Sequence, residues 1–335
     1  MTERHNGTVM QPGVQLTGLG HYFPGQPVTN AFFEQIPELG IDDAWIVEHT
    51  GVRTRHWPES DDERPVEMGV AAARKALDHA GITAGDVDLL IGTTSTTRAR
   101  VNPSSATNRY PDISLPVQNL LGARNAACFD ITATACAGFL YTSTVARTLL
   151  HLLGKRTALI VAAENPKPIL NFKYRYSALF GAGAAAAVWS RVDRGPSGLV
   201  DTVVKSDGRH FDAFDIDDED KILMRGGQIG ELGPRLLIDA AQTLLRQNDL
   251  ELGQIDWIIP HQGNLNMINE VSAALGIPRE RLLLNIDRRG NTSSVSIPSC
   301  LSEHVHSGKI KPGNLIIALG IGRGLNWGAM LFRYR

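Results

Sequence analysis

FDITATACAGFLYT, residues 129–142, is a short apolar strand followed by Cys136 and then by small residues that begin a helix. A thiol attacks as its thiolate, and the unpaired N–H groups and dipole at a helix N-terminus lower a thiol pKa. Cys136 is therefore a candidate nucleophile. Free cysteines are also common as buried packing residues, so this stretch alone leaves both interpretations open.

The composition limits the class of protein. The chain has 335 residues, 43% of them hydrophobic, which suits one large domain or two fused halves. Its formal net charge of −2 gives no sign of a nucleic-acid-binding surface. The acidic stretch DIDDED, residues 215–220, is predicted to be a solvated loop. Cys128, Cys136 and Cys300 lack CxxC spacing, so we expect neither a disulfide framework nor a metal site.

The sequence indicates neither a targeting segment nor a membrane span. Residues 1–12 are polar, lack the apolar run of a signal peptide, and are predicted to form a flexible tail. No run of about 18 apolar residues, the length needed to cross a bilayer, is found in the sequence. We therefore expect a soluble, cytoplasmic protein without membrane insertion.

Strand-like and helix-like segments alternate along the chain, which is typical of an α/β fold whose sheets are covered on both faces. The helical pattern at 65–80 stops at Gly81, a residue suited to a helix C-terminus. Short apolar runs rich in β-branched residues predict strands at 87–91, 158–163, 256–260 and 315–319.

Two segments with the same local pattern suggest an internal duplication. KALDHAGITAGDVDLLIG (75–92) and TLLRQNDLELGQIDWIIP (243–260) each give a helix, a turn containing glycine and an acidic residue, and a strand. The polar stretch 190–197 is the predicted seam. This divides the chain into the 1–12 tail, an N-terminal half at 13–190 that holds the nucleophile, and a C-terminal half at 191–335.

The second half has two further candidate polar residues, one at the end of a strand and one in a glycine turn. His261 comes directly after the predicted strand in IIPHQGN (258–264), and Asn291 lies in the glycine turn of DRRGNTSSVSIP (287–298). Sites in α/β proteins commonly assemble at the carboxyl ends of buried strands. Each residue taken alone has an ordinary structural explanation, a histidine bonded to a core carbonyl or a common Gly-Asn turn.

Together these motifs resemble the β-ketoacyl-acyl-carrier-protein synthase III family of the thiolase superfamily. The resemblance covers roughly residues 13–335 and implies a thiolase-like fold, two duplicated α/β halves in a layered αβαβα architecture. The stretches that carry it, in family order, are DAWIVEHTGVRTRHW (43–57), FDITATACAGFLYT (129–142), FGAGAAAAV (180–188), WIIPHQGNL (257–265), DRRGNTSSVSIP (287–298) and GIGRGLNWGAMLFRY (320–334).

The resemblance implies a role for each polar residue of the site. Cys136 is the acylated nucleophile, and His261 and Asn291 complete a Cys-His-Asn set whose hydrogen bonds stabilise the enolate of the second substrate. The backbone N–H groups of Cys136 and Arg323 form the oxyanion hole. Because an aspartate would repel an enolate, Asn291 favours carbon–carbon bond formation over simple acyl transfer.

The family also implies the substrates and partners. Coenzyme A or the phosphopantetheine of acyl carrier protein presents the thioesters, no metal or redox cofactor takes part, and the protein forms a homodimer. The implied substrate-binding residues are Trp45, His49, Tyr110, Phe180, Asn264 and Asn266.

Several positions depart from the family pattern at the substrate entrance. Trp45 is present, but His49 and Asn266 stand where the family commonly has arginines. A third arginine, before FG, is absent, although Lys167, Lys173 and Arg175 lie in that stretch. Phosphates need close cationic partners, so these changes weaken the case for ordinary coenzyme A priming. A carrier protein could dock through surface cations such as Arg288 and Arg289.

Two segments near the acyl group differ as well. Residues 98–118 are about ten residues longer than the family spacing and read as a loop, with Tyr110 where the family has a pocket phenylalanine. The last loop reads GIGRGLN in place of a triple glycine, so Arg323 can donate its N–H while its side chain must find other space.

The leading hypothesis is a condensing enzyme of a specialised polyketide or natural-product pathway. It takes an acyl group onto Cys136 and performs a Claisen condensation with a malonyl- or β-ketoacyl-type thioester bound to a carrier protein. Two alternatives stay open at this point. One is an acyltransferase that passes the acyl group to an alcohol, amine or carrier, and the other is a non-catalytic partner subunit of a condensing heterodimer.

Overall fold

The computed structural model describes residues 13–60, 63–96, 112–132, 134–193 and 198–335. Its strands are β1 (Gly13–Tyr22), β2 (Pro27–Thr29), β3 (Thr54–His56), β4 (Leu89–Thr93), β5 (Ala127–Asp130), β6 (Thr157–Glu164), β7 (Gly183–Val192), β8 (Leu199–His210), β9 (Phe214–Ile216), β10 (Ile222–Met224), β11 (Trp257–Pro260), β12 (Leu315–Gly322) and β13 (Gly324–Arg333). Its α-helices are α1 (Ala31–Glu34), α2 (Asp43–Thr50), α3 (Pro65–Ala80), α4 (Ser114–Leu121), α5 (Gly138–Leu152), α6 (Gly226–Gln247), α7 (Leu265–Leu275), α8 (Ile286–Arg289) and α9 (Ser296–His306).

Two main sheets repeat one strand pattern. The first has the order β5-β4-β6-β7-β1 and the second has the order β11-β12-β13-β8. In each, a parallel pair (β4 with β6, β11 with β12) is followed by two antiparallel neighbours. A parallel bridge between Ile258 and Leu282 occupies, beside β11, the place that β5 occupies beside β4. The repeated order confirms the predicted duplication of two α/β halves.

Helices form three layers around these sheets. α5 and α9 pack between the sheets, where apolar side chains of both halves form one continuous core. α3 and α4 cover the outer face of the first sheet, and α6 and α7 cover the outer face of the second. Strands buried on both faces explain why the predicted strands were continuous apolar runs instead of alternating patterns. The layers give the predicted αβαβα architecture.

Element boundaries agree with the sequence to within a few residues. α3 spans Pro65–Ala80 as predicted, and Gly81 ends it with φ 67°. β4 begins two residues later than expected, at Leu89, because a 3₁₀ turn at 84–86 precedes it.

The expectation of a solvated loop at 215–220 is wrong in part. Asp215 and Ile216 belong to β9, which pairs with β10, so the acidic stretch forms a hairpin. The Asp217 carboxylate accepts the backbone N–H groups of Glu219 and Lys221 at 2.9 and 2.8 Å, which stabilises the turn.

Some predictions lie partly or wholly outside the described residues. These are the 1–12 tail, Tyr110, and most of the 98–118 segment, of which the structure describes 112–118 and places Ser114 at the start of α4. The division at 190/191 falls near the end of β7 and stays a proposal. Within the part of the chain that is described, no helix has the length and apolar character to cross a membrane.

Candidate active site

Cys136 lies in a 3₁₀ turn, Ala135–Ala137, directly before α5. Its side chain is buried, and its thiol donates to the Ser293 hydroxyl at 3.4 Å. Burial raises the pKa of the Cys136 thiol to about 12, and the Ser293 hydrogen bond opposes this only in part. The expectation of a lowered thiol pKa is therefore wrong, because loss of hydration on burial dominates.

The backbone around Cys136 is tightly enclosed. Ala135 has φ 45°, a left-handed conformation that is costly for a residue with a side chain. At Gly322, the end of β12, an added Cβ would lie 2.1 Å from the Thr134 carbonyl oxygen and 2.8 Å from the Cys136 nitrogen. Only glycine allows this approach, which brings the last loop and Arg323 against the cysteine turn. The positive φ of that loop, 132°, falls on Gly324 and not on Arg323.

His261 follows β11, and its backbone N–H donates to Leu319 of β12 at 2.6 Å. Its Nδ1 lies 2.7 Å from the Ser296 hydroxyl oxygen, which also accepts the Gln262 N–H at 3.4 Å. We assign the single Ser296 proton to Nδ1, which leaves the Nε2 nitrogen protonated. Burial lowers the pKa of His261 to about 3, so the imidazole is neutral near pH 7 and offers one N–H.

Asn291 is positioned by backbone pairing with the segment before β7. Its N–H donates to Leu179 at 2.8 Å, and its carbonyl accepts from Gly181 at 3.0 Å. Its side-chain oxygen accepts the Ser293 N–H at 2.8 Å. Because the oxygen is occupied, the amide nitrogen is the group free to donate to a ligand.

The three residues face one cavity. Cys136, His261 and Asn291 all line a cavity of about 530 Å³. A second cavity, of about 180 Å³, starts from the same Cys136 and Asn291 and contains Arg323 and Phe180 in its wall. A nucleophile that shares one cavity with two hydrogen-bond donors and also lines a second cavity is an arrangement suited to joining two acyl groups.

Comparison with known proteins identifies the family of this chain. Two family profiles match: 3-oxoacyl-[acyl-carrier-protein] synthase III over residues 129–208 and its C-terminal region over residues 245–334. The β-ketoacyl-[acyl-carrier-protein] synthase III of Paramagnetospirillum magneticum is 35% identical over 332 residues, covering 95% of this chain and 98% of that protein. The chain belongs to the β-ketoacyl-[acyl-carrier-protein] synthase III family.

Solved structures of related proteins have a similar fold. The 3-oxoacyl-[acyl-carrier-protein] synthase III of Aquifex aeolicus has a TM-score of 0.87 at 30% identity, covering 96% of this chain and all of that one. The priming β-ketosynthase of the R1128 polyketide pathway has a TM-score of 0.85 at 30% identity, covering 96% of this chain and 97% of that one. These neighbours confirm the thiolase-like fold, and the family makes the protein a condensing acyltransferase that forms carbon–carbon bonds.

His49, which the resemblance places at a substrate-binding position, lines the larger cavity. The His49 ring stacks on Trp45 with centroids 4.3 Å apart, and its Nδ1 bonds the Trp45 carbonyl at 2.8 Å. The Arg175 guanidinium lies 5.7 Å from the centre of the Trp45 ring. A cation is therefore present beside Trp45, supplied from the stretch where the family arginine is missing.

Asn264 and Asn266 line the same cavity and also hold its wall together. The side-chain amide of Asn264 donates to the His49 carbonyl at 2.9 Å, and that of Asn266 donates to Glu48 at 3.1 Å. These bonds tie the start of α7 to the C-terminal end of α2. Asn264 and Asn266, which the family resemblance suggested as substrate-binding residues, thus also join two helices.

Of the two arginines considered for carrier docking, only Arg288 is exposed. Arg289 is largely enclosed: it pairs with Glu303 at 2.6 Å and lies 4.1 Å from the centre of the Phe23 ring. The prediction that Arg289 serves as a surface cation is wrong, because its charge is already compensated inside the protein.

Sequence reasoning missed two supporting residues, Ser296 and Glu164. The buried Glu164 carboxylate accepts hydrogen bonds from Ser95, Thr96 and Ser294, the last two at 2.7 and 2.5 Å. It thereby joins the loop after β4 to the Asn291 turn. Their signal in the sequence was weak: a lone acidic residue at the end of a strand and a run of serines.

Proposed function

We propose that this protein takes an acyl group from a thioester onto Cys136 and condenses it with a malonyl- or β-ketoacyl-type thioester carried by acyl carrier protein. One observation carries the proposal. Cys136 shares a cavity with His261 and Asn291, and each of these two has a free N–H donor.

In the first half-reaction, the Cys136 sulfur attacks the thioester carbonyl. The carbon–sulfur bond of the donor breaks, and the thiol proton of Cys136 ends on the departing thiol. The N–H groups of Cys136 and Arg323 stabilise the tetrahedral oxyanion. The close approach of Gly322 to the Cys136 nitrogen supports this pair, because it brings both backbone segments together.

In the second half-reaction, a malonyl group loses CO₂ and its electron pair forms an enolate. His261 Nε2 and the Asn291 amide nitrogen donate to the thioester oxygen on which that charge develops. The enolate carbon attacks the acyl-cysteine carbonyl, and the Cys136 thiolate leaves, giving a β-ketoacyl thioester. A neutral histidine fits this role, since it needs only to donate a hydrogen bond.

The altered entrance supports a donor other than ordinary coenzyme A and a specialised pathway, such as polyketide assembly. The chain uses no resident cofactor in this proposal, since thioester chemistry supplies the activated groups. We also propose a cytoplasmic homodimer. The edge strand β5 and the neighbouring α4, whose Leu115 and Leu120 are 56% and 49% exposed, support a dimer surface there.

Mass spectrometry of the intact protein tests the reaction. The protein is incubated with acyl-coenzyme A and acyl-carrier thioesters, and a malonyl carrier is then added while CO₂ and product are measured. Wild type gains an acyl adduct and loses it with release of CO₂, whereas Cys136→Ala gains none. Retained acylation in Cys136→Ala contradicts the assignment of the nucleophile.

Asn291→Asp separates the two half-reactions. The aspartate keeps an oxygen for the Ser293 N–H but replaces the amide donor by a negative charge beside the enolate. We expect acylation at near wild-type rate and condensation lowered by about a hundredfold or more. Wild-type condensation by this variant would remove Asn291 from the mechanism.

A further inference from the structure

Arg323 occupies a position where the synthase III loop pattern has glycine, and the structure shows where its side chain goes. The Nε–H donates to the Phe214 carbonyl of β9 at 3.1 Å. The Asn326 side-chain amide donates to the Arg323 carbonyl, which holds the backbone of the loop. Arg323 thereby becomes part of the wall of the 180 Å³ cavity that starts at Cys136.

The terminal nitrogens of this guanidinium are available. Among the described residues, none accepts a hydrogen bond from them, and no carboxylate pairs with them. The Arg323 side chain is partly exposed, so its terminal nitrogens can donate to a ligand that enters the cavity.

The rest of the cavity wall explains why that acceptor comes from a ligand. Most of the wall is apolar, including Ile169, Phe180, Ile222 and Met224. Two carboxylates also line it. Glu164 is already surrounded by hydroxyl donors, and Asp215 is exposed to solvent on the hairpin. Neither carboxylate lies within ion-pair distance of Arg323, which is the cationic side chain among the described residues of the wall.

We propose that Arg323 selects an acyl donor that carries a second carboxylate, that is, a short dicarboxylic acyl thioester. This inference rests on the proposed function and names its first substrate. With Nε held by Phe214, the two terminal nitrogens present a pair of parallel donors to the two oxygens of the distal carboxylate. The methylene groups of the chain lie along the apolar wall, and the thioester carbon lies at Cys136.

The experiment measures acyl-enzyme formation by intact-protein mass spectrometry with N-acetylcysteamine thioesters, which lack both nucleotide and carrier protein. Succinyl, glutaryl and adipyl donors are each compared with the monocarboxylic acyl donor of the same carbon number. The quantity of interest is the ratio of the two acylation rates within one protein. Wild type is expected to favour the dicarboxylic donor by about tenfold or more, the effect of a charge-assisted hydrogen-bonded pair.

Arg323→Met keeps the backbone N–H and the side-chain bulk but removes the charge, so its ratio should fall by about tenfold. Arg323→Lys keeps the charge but lacks the paired donors, so its ratio should lie between those of wild type and Arg323→Met. Arg246→Met, an exposed arginine of α6, is the matched control and should leave the ratio unchanged.

The outcomes separate this inference from the proposed function. A wild-type preference for the monocarboxylic donor, or a ratio unchanged in Arg323→Met, overturns the role of Arg323 and leaves the condensing function standing. Absence of acylation by both classes of donor, and by the acyl-carrier thioesters of the first experiment, overturns both. The wild-type ratio decides the question even if Arg323→Met does not fold.

Discussion

At the scale of single residues, burial sets the charge of the two groups closest to the chemistry. The pKa of the Cys136 thiol is raised to about 12 and that of His261 is lowered to about 3, in both cases chiefly by loss of hydration. Both shifts favour the neutral form. The resting site therefore holds a thiol and a neutral imidazole, and not a thiolate–imidazolium pair.

This protonation state predicts a pH dependence. A group with a raised pKa keeps its proton until the pH approaches that value, so the thiolate fraction grows about tenfold per pH unit below it. We expect the acylation rate to rise continuously between about pH 6 and pH 9 without a plateau. Pre-steady-state mass spectrometry across this range measures it. A plateau that begins below neutral pH would instead indicate an ion pair of Cys136 and His261.

Ser296 is predicted to act through His261. Without its hydroxyl, Nδ1 of the imidazole can carry the proton, and Nε2 then loses its role as donor. Ser296→Ala should slow condensation about tenfold and leave acylation of Cys136 unchanged, measured as separate half-reactions.

Ser299→Ala is the matched control for this test. Ser299 is a buried serine of the same helix, and its hydroxyl donates to the Ser296 carbonyl at 3.3 Å without contact to the histidine. Equal effects of the two variants on condensation would assign Ser296 a merely structural role.

How far the sequence predicts the site depends on how local each signal is. Cys136, His261 and Asn291 could be singled out because each stands at a strand end or a glycine turn. Ser296 and Glu164 could not, since their decisive partners lie 35 and 130 residues away along the chain. The thiol pKa was mispredicted for a related reason: the helix start is local, whereas burial results from the whole fold.

At the scale of elements, capping signals were more reliable than strand ends. α3 carries a proline at its first position and Gly81 after its last, and both boundaries were predicted correctly. The β9–β10 hairpin was missed because its strands are three residues long and four of the five residues between them are acidic. Short strands that depend on tertiary contacts leave little periodicity to detect.

The junction of β12 with the cysteine turn gives a test at this scale. Gly322→Ala places a methyl group against two backbone groups, which cannot turn aside as a side chain can. We expect a loss of about 1–3 kcal/mol in the free energy of unfolding and acylation slowed by about a hundredfold.

Gly320→Ala on the same strand provides the comparison. Its added Cβ would lie 3.2 Å or more from methyl groups of Leu140 and Ile297, which can adjust. Chemical denaturation and acylation kinetics should therefore separate the two variants. Equal behaviour would show that the close approach at Gly322 is not required.

At the scale of the whole molecule, the site is shared between the halves. Cys136 comes from the first half, whereas His261, Asn291 and Arg323 come from the second. The repeated strand order explains how this arises, since each half brings the carboxyl ends of its parallel strands to the common centre. The sequence predicted the duplication from one helix–turn–strand pattern in each half.

The proposed homodimer is tested at the surface of α4. Leu115→Glu adds a charge to an exposed apolar side chain beside the edge strand β5, and should convert a dimer to monomer in light scattering after gel filtration. Leu152→Glu, at a leucine of α5 that is 75% exposed, is the control and should stay dimeric. A wild-type protein of one chain mass would contradict the dimer itself.

The Glu164 carboxylate has a consequence for folding cooperativity. It is a charge buried under donors from both halves, with Ser294 of the second half bonded at 2.5 Å and Thr96 of the first at 2.7 Å. Partial opening of the junction would leave that charge short of a donor while it is still shielded from water, a state of high free energy. We therefore expect the two halves to unfold together, with their backbone amides becoming exposed to solvent in a single opening event measured by hydrogen exchange.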